Sequence, residues 1–153
     1  MSDRVCIKHQ DDQRRVSPED LLECCPTCGF GCDGGLIYES WSYWKKVGLV
    51  SGEVFGDKTS CKPYLLPPCN HHGNQGPFDD CSKHDYAAPL CEQKCSNENY
   101  PKKYEDDRMK ATKVYKVAFH NTMLKELVLN GPFVASMRVY EDFLLYKEGI
   151  YQH

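Results

Sequence analysis

Residues 24–48 read CCPTCGFGCDGGLIYESWSYWKKVG, and the two halves of that stretch obey different rules. Its first half, 24–35, is too rich in Gly, Pro and Cys for helix or sheet, so it reads as a tight, cross-linked turn. From Leu36 to Val47 the apolar residues Leu36, Ile37, Trp41, Trp44 and Val47 recur at helical spacing. Lys45 and Lys46 suit the negative end of the helix dipole, and Gly48 supplies a left-handed stop. Gly34 and Gly35 fall at the junction, where a bare backbone lets another chain approach closely and pair in strand-like fashion.

Working outward, SPEDLLEC at 17–24 reads as a helix start. Ser17 caps the free N–H groups, Pro18 suits the first helical position, and Asp20 completes a capping-box spacing. Between Ser51 and Pro101 neither helical nor strand periodicity persists, and cysteines 61, 69, 81, 91 and 95 punctuate a long Pro/Gly-rich stretch. A segment of that length is uncommon in a compact domain unless it is functional or cross-linked. Further on, ATKVYKVAFH (111–120) and FVASMRVY (133–140) have strand composition, and Ile150-Tyr151 reads as the start of another strand. Asn121 or Thr122 is expected to cap a helix carrying Leu124, Leu127 and Val128, with Gly131-Pro132 ending it. DFLLYKEG reads as a turn of helix or a tight connection.

A length of 153 residues is one domain's worth, and ten cysteines favour disulfides in an oxidising compartment. The N-terminal MSDRVCIKHQDDQRR has no apolar core of signal-peptide type, and the chain ends just as a strand begins. Together these suggest an internal piece of a longer product. A net charge of -3 leaves no broad basic face for nucleic acid, and no apolar run is long enough to span a membrane.

One more stretch asks for a function. CNHHGNQGPFDDC at 69–81 places His71 and His72 between two cysteines. If these pair, closing the loop contributes about 3 kcal/mol through the unfolded state. Imidazoles held there can receive an anionic group such as a carboxylate. A zinc site is the other reading: Cys24, Cys25, Cys28 and Cys32 with Cys91 and Cys95 offer thiolates, and the two histidines offer nitrogens.

SDRVCI at 2–7, SPEDLLECC at 17–25, GCDGG at 31–35, WKKVGLVSG at 44–52, CKPYLLPPCNHH at 61–72, NGPF at 130–133 and VYEDFLLYKEGIYQH at 139–153 resemble successive segments of the cathepsin B-like branch of the papain-like cysteine proteases. The resemblance implies an α+β, papain-like two-domain fold, present in part. Residues 1–105 would be much of the helical, disulfide-rich left domain with an occluding loop at 69–81, and 106–153 the start of the β-rich, barrel-like right domain.

It also implies four disulfides, Cys24 with Cys91, Cys25 with Cys28, Cys61 with Cys95 and Cys69 with Cys81, leaving Cys6 and Cys32 unpaired. Gly34 and Gly35 match the substrate-binding turn, Leu36 and Ile37 the wall of the S2 pocket, and Ser136 its floor. His71 and His72 match the loop pair that receives a substrate's C-terminal carboxylate. Asp79 and Asp80 depart from the family's loop. No residue matches the catalytic cysteine or histidine, so the chain by itself is expected to be inactive, while the full-length enzyme would be an endopeptidase and C-terminal dipeptidase. No cofactor or metal is implied. The implied partners are peptide or protein substrates, with a propeptide or cystatin-type inhibitors in the full-length enzyme, and the location is lysosomal or extracellular. The rival readings are a catalytically dead homologue that binds peptides and a zinc-stabilised structural protein.

Overall fold

Ser17 decides where the first long-range contacts form. In the computed structural model, which describes residues 1–10, 12–70, 77–83 and 87–153, its hydroxyl accepts the Asp20 backbone N–H at 3.0 Å and donates to the Lys62 carbonyl at 2.7 Å. The cap therefore starts a helix and anchors a distant strand-like segment at once. The chain runs through α1 (Ser2–Lys8), α2 (Pro18–Cys24), α3 (Ile37–Lys46), α4 (Tyr104–Asp107) and α5 (His120–Asn130). Single 3₁₀ turns lie at Gly31–Asp33, Cys81–Lys83 and Glu141–Leu145.

Helix α3 matches its sequence expectation within a residue at each end, and Gly48 closes it at φ +96°. Trp41 and Trp44 meet edge-on, with centroids 5.6 Å apart. Trp44 is buried with Val5, Val16, Leu49 and Met109 to form the main apolar core. Burying an aromatic or aliphatic side chain of this size contributes roughly 1.5–3 kcal/mol each. Val5 belongs to α1, a helix not anticipated from the sequence, whose apolar face is too short to show a period.

Around this core the chain holds residues 49–52 between two neighbours. Leu49 exchanges both backbone hydrogen bonds with Met109, at 3.0 and 2.8 Å, and Ser17 donates to the Val50 carbonyl at 2.8 Å. A second apolar group, Val50, Cys61 and Tyr104, packs behind them.

The polar half of the core is a set of buried carboxylates. Asp107, fully buried, accepts Ser51 N–H at 2.7 Å, Ser51 Oγ at 2.6 Å and Tyr100 Oη at 2.7 Å, and pairs with Arg14 at 2.5 Å. Asp20 accepts the Tyr104 hydroxyl at 2.8 Å. The capping box is thus only half made. The Asp20 carboxylate turns inward to Tyr104 and Val50 N–H, while Ser17 N–H is already taken by Val50.

Four sequence expectations are corrected downstream. Residues 111–119, 133–140 and 150–151 form no ladder among the described residues. Strand composition records what a segment can pair with, and a strand exists only when a partner edge is supplied. Helix α5 begins at His120 after Phe119, which takes φ +68°, so neither Asn121 nor Thr122 is the cap. Its end at Gly131, φ +87°, is as expected.

Candidate functional site

The turn at 28–36 is shaped by two glycines for different reasons. Gly34 adopts φ +102°, ψ −178°, a conformation that side chains avoid, although a Cβ there would meet open space. Gly35 has an ordinary φ, but a Cβ on it would lie 2.5 Å from the Cys28 carbonyl oxygen. Gly29 and Gly35 are antiparallel bridge partners, flanked by Phe30 N–H to Gly34 O at 2.9 Å and Leu36 N–H to Cys28 O at 2.6 Å. In that arrangement the bridge residues do not bond each other, so the N–H and C=O of Gly35 face away from Gly29. Neither has a partner among the described residues, and Gly35 is exposed. An extended chain laid alongside finds one donor and one acceptor waiting.

Helix α3, which follows the turn, lines a cleft of about 970 Å³, and Gly34, Gly35 and Leu36 lie outside that lining. Ile37 and Ser136, distant in sequence, both line it, along with Tyr38, Trp41, Val114 and Val134. Leu36 and Ile37 are about half exposed, at 57% and 49%, so they offer apolar surface rather than core. Arg4 of α1 braces the far wall: it pairs with Glu126 of α5 at 2.8 Å and donates to the carbonyls of Pro132 and Gly131 at 2.7 and 3.1 Å. Hydrogen bonds from Tyr115 and from Arg4 hold the Glu126 carboxyl below its usual range. Arg4 and Tyr115 were invisible to sequence reasoning, since nothing local marks an arginine that will cap a helix end more than a hundred residues away.

Eight cysteines form disulfides, Cys24–Cys91, Cys25–Cys28, Cys61–Cys95 and Cys69–Cys81. These are the pairs that the resemblance implies, with Cys6 and Cys32 free. Thiolates for a zinc site are therefore not available in these groups, and among the described residues no cluster of three or more His, Cys, Asp or Glu is arranged for a metal. The Cys6 thiol lies 3.3 Å from the Gln13 side-chain oxygen. His71 and His72 lie outside the described residues. The base of their loop is described: Asn70 N–H donates to Asp79 O at 2.7 Å and Cys81 N–H to Asn70 O at 2.9 Å. Asp79 pairs with Lys83 at 3.6 Å and Asp80 accepts Ser82 N–H at 2.8 Å, so the two acids serve the loop's own foot.

The fold, the glycine turn and the disulfide set define a class. The sequence profile of the papain family cysteine proteases matches residues 1–153, and the chain belongs to that family. Within it the chain is similar to the cathepsin B-like enzymes. It is 43% identical to cathepsin B-like cysteine proteinase 6 of Caenorhabditis elegans, covering 100% of this chain and 41% of that protein. It is 39% identical to the cathepsin B-like cysteine proteinase of Schistosoma japonicum, over 100% of this chain and 45% of the other. A solved structure, procathepsin B S9 from Trypanosoma congolense, superposes with a TM-score of 0.71 at 31% identity, covering 99% of this chain and 44% of its own. The chain thus spans under half the length of these relatives.

Proposed function

We propose that this chain forms the peptide-receiving side of a cathepsin B-like cysteine protease, with Gly34 and Gly35 pairing to an extended substrate and Leu36, Ile37 and Ser136 surrounding one of its side chains. The outward, unpartnered backbone of Gly35 beside the cleft that holds Ile37 and Ser136 carries this reading. In the whole enzyme the reaction is hydrolysis of peptide bonds, within chains and at C-terminal dipeptides, with His71 and His72 receiving the substrate's terminal carboxylate. Residues 1–105 serve as part of the left domain and 106–153 as part of the right. Peptide or protein substrates, a propeptide and cystatin-type inhibitors are the partners, and the four disulfides support a lysosomal or extracellular location.

The chain alone binds without cleaving. A thiol protease needs a nucleophile and an imidazole base within hydrogen-bond reach. Neither free thiol has an imidazole hydrogen-bond partner among the described residues. The test is titration of the 153-residue chain with a fluorescein-labelled, end-blocked neutral pentapeptide, followed by mass spectrometry of the peptide. Expected are saturable binding, an intact peptide, and roughly tenfold weaker binding by Gly35→Ala, whose Cβ would meet the Cys28 carbonyl oxygen and shift the outward backbone groups, at a loss of about one hydrogen bond's worth of affinity. No binding by the wild-type chain, or equal binding by Gly35→Ala, overturns the reading.

A further inference from the structure

The cleft's charges are distributed unevenly. Arg4, Lys8, Lys110, Lys113 and Lys116 line it, and among the described residues no aspartate or glutamate does. Arg4 is answered from alongside by Glu126, so its charge is balanced. The four lysines have no carboxylate partner among the described residues, and three are held in place by neutral groups. Lys113 Nζ sits 5.4 Å from the centroid of Tyr115, Lys116 Nζ 5.3 Å from that of Tyr38, and Lys110 Nζ donates to the Lys46 carbonyl at 3.2 Å. An aromatic face or a carbonyl positions an ammonium group and leaves its positive charge intact. A carboxylate partner would have cancelled it, as Glu23 does for Lys62.

The geometry points to a cleft selective for peptides that carry acidic side chains flanking an apolar one. The apolar residue would lie against Ile37 and Val134, and its acidic neighbours would reach Lys113 and Lys116. This deepens the peptide-receiving reading above and rests on it. Apolar walls between the cations favour a peptide over a sulfated polysaccharide, because a sugar chain gains nothing from buried Ile and Val surface while an extended peptide with alternating side chains uses both. The chain's net charge of -3 makes the effect local, so a general attraction of anions does not account for it.

The experiment measures fluorescence anisotropy of the full chain with three labelled, end-blocked peptides, Ala-Glu-Val-Glu-Ala, Ala-Gln-Val-Gln-Ala and Ala-Lys-Val-Lys-Ala. The glutamate peptide is expected to bind roughly five- to tenfold tighter than the glutamine one, the size two partly solvated ion pairs supply, and the lysine peptide more weakly than either. The preference is expected to shrink in high salt and to vanish in Lys113→Gln/Lys116→Gln, with affinity for the glutamine peptide unchanged. Both lysines are exposed, and the salt titration of the wild-type chain tests the charge term independently of that variant. Equal binding of the glutamate and glutamine peptides overturns the inference and leaves the peptide-receiving reading standing. Absence of binding by all three overturns both. An acidic preference that persists in the double variant, or heparin displacing a peptide that shows no acidic preference, also overturns it.

Discussion

Glu19 and Asp107 are both buried carboxylates, and their surroundings send them in opposite directions. Burial pushes the Glu19 carboxyl up, nearby Glu23 adds to this, and the Leu65 N–H and Lys62 offset it only in part. Its Oε1 has no hydrogen-bond partner among the described residues. For Asp107 burial also pushes upward, but the hydrogen bonds from Ser51, Tyr100 and Arg14 outweigh it and hold the group below the usual value of 3.8. The signs for stability follow. A raised acid favours the folded state while protonated, so Glu19's contribution is full below its ordinary value of 4.5 and lost as pH rises through the higher folded value. Asp107's contribution is present above 3.8 and lost as pH falls through its lowered folded value. Glu19→Gln should therefore flatten the decline in stability between about pH 5 and about pH 8, gaining on the wild type at the upper end. Urea midpoints at both pH values measure it, and a variant less stable than wild type by the same margin at each would exclude this role for Glu19. Asp107→Asn, by contrast, should cost about 2–4 kcal/mol at neutral pH, because Arg14 loses its buried partner and Ser51 part of its acceptor. A urea midpoint unchanged from wild type would show that the network contributes little.

Among the elements, legibility in the sequence followed how local the determining interactions are. Helix α3 could be read because its apolar period, its basic last turn and Gly48 all lie within one stretch. The start of α2 could be read from Ser17-Pro18, but the inward turn of Asp20 could not, since it depends on Tyr104. The glycine turn was legible as a turn; that Gly34 is needed for its φ and Gly35 for a close approach required the geometry. Spacing alone left disulfides and zinc both open, and the pairing became readable only through family resemblance. The expected strands failed because their partners are not set by their own residues. Two bridges also differ in what they restrain. Cys24–Cys91 spans 67 positions and Cys69–Cys81 spans 12. Chain entropy assigns about 4 kcal/mol to the first and about 3 kcal/mol to the second. Replacing Cys69 and Cys81 by Ser should lower the unfolding free energy by about 3 kcal/mol with near-ultraviolet circular dichroism unchanged, because the main tryptophan core lies elsewhere. Loss of the tryptophan signal in that variant would show that the loop supports the core.

At the scale of the whole molecule, packing divides the chain near Met109. Every buried residue among those described lies between Val5 and Met109, while Leu124, Leu127, Val128, Val134, Met137, Val139, Leu144 and Ile150 are each roughly half exposed or more. So many exposed apolar side chains in one part of the chain offer surface that another surface can cover. The two parts are joined by the partly solvated bonds of Arg4 to Glu126, Gly131 and Pro132, by Lys116 over the Tyr38 ring and by Lys110 on the Lys46 carbonyl. Local stability should follow this division, since regions with few buried apolar contacts and unpaired backbone open at low free-energy cost. Amide hydrogen exchange on the isolated chain should therefore show strong protection at Leu49, Met109 and Lys62, whose N–H groups bond across the core. Exchange across 111–119 and 133–140 should be fast, and helix α5 should fall between the two. Arg4→Ala should accelerate exchange in α5 and leave Leu49 unchanged, because it removes the bonds to Glu126 and to the carbonyls that follow α5 without entering the core. Protection at 133–140 equal to that at Leu49, together with one sharp unfolding transition for all probes, would show that the second part is cooperatively packed, so that its exposed apolar face needs no cover.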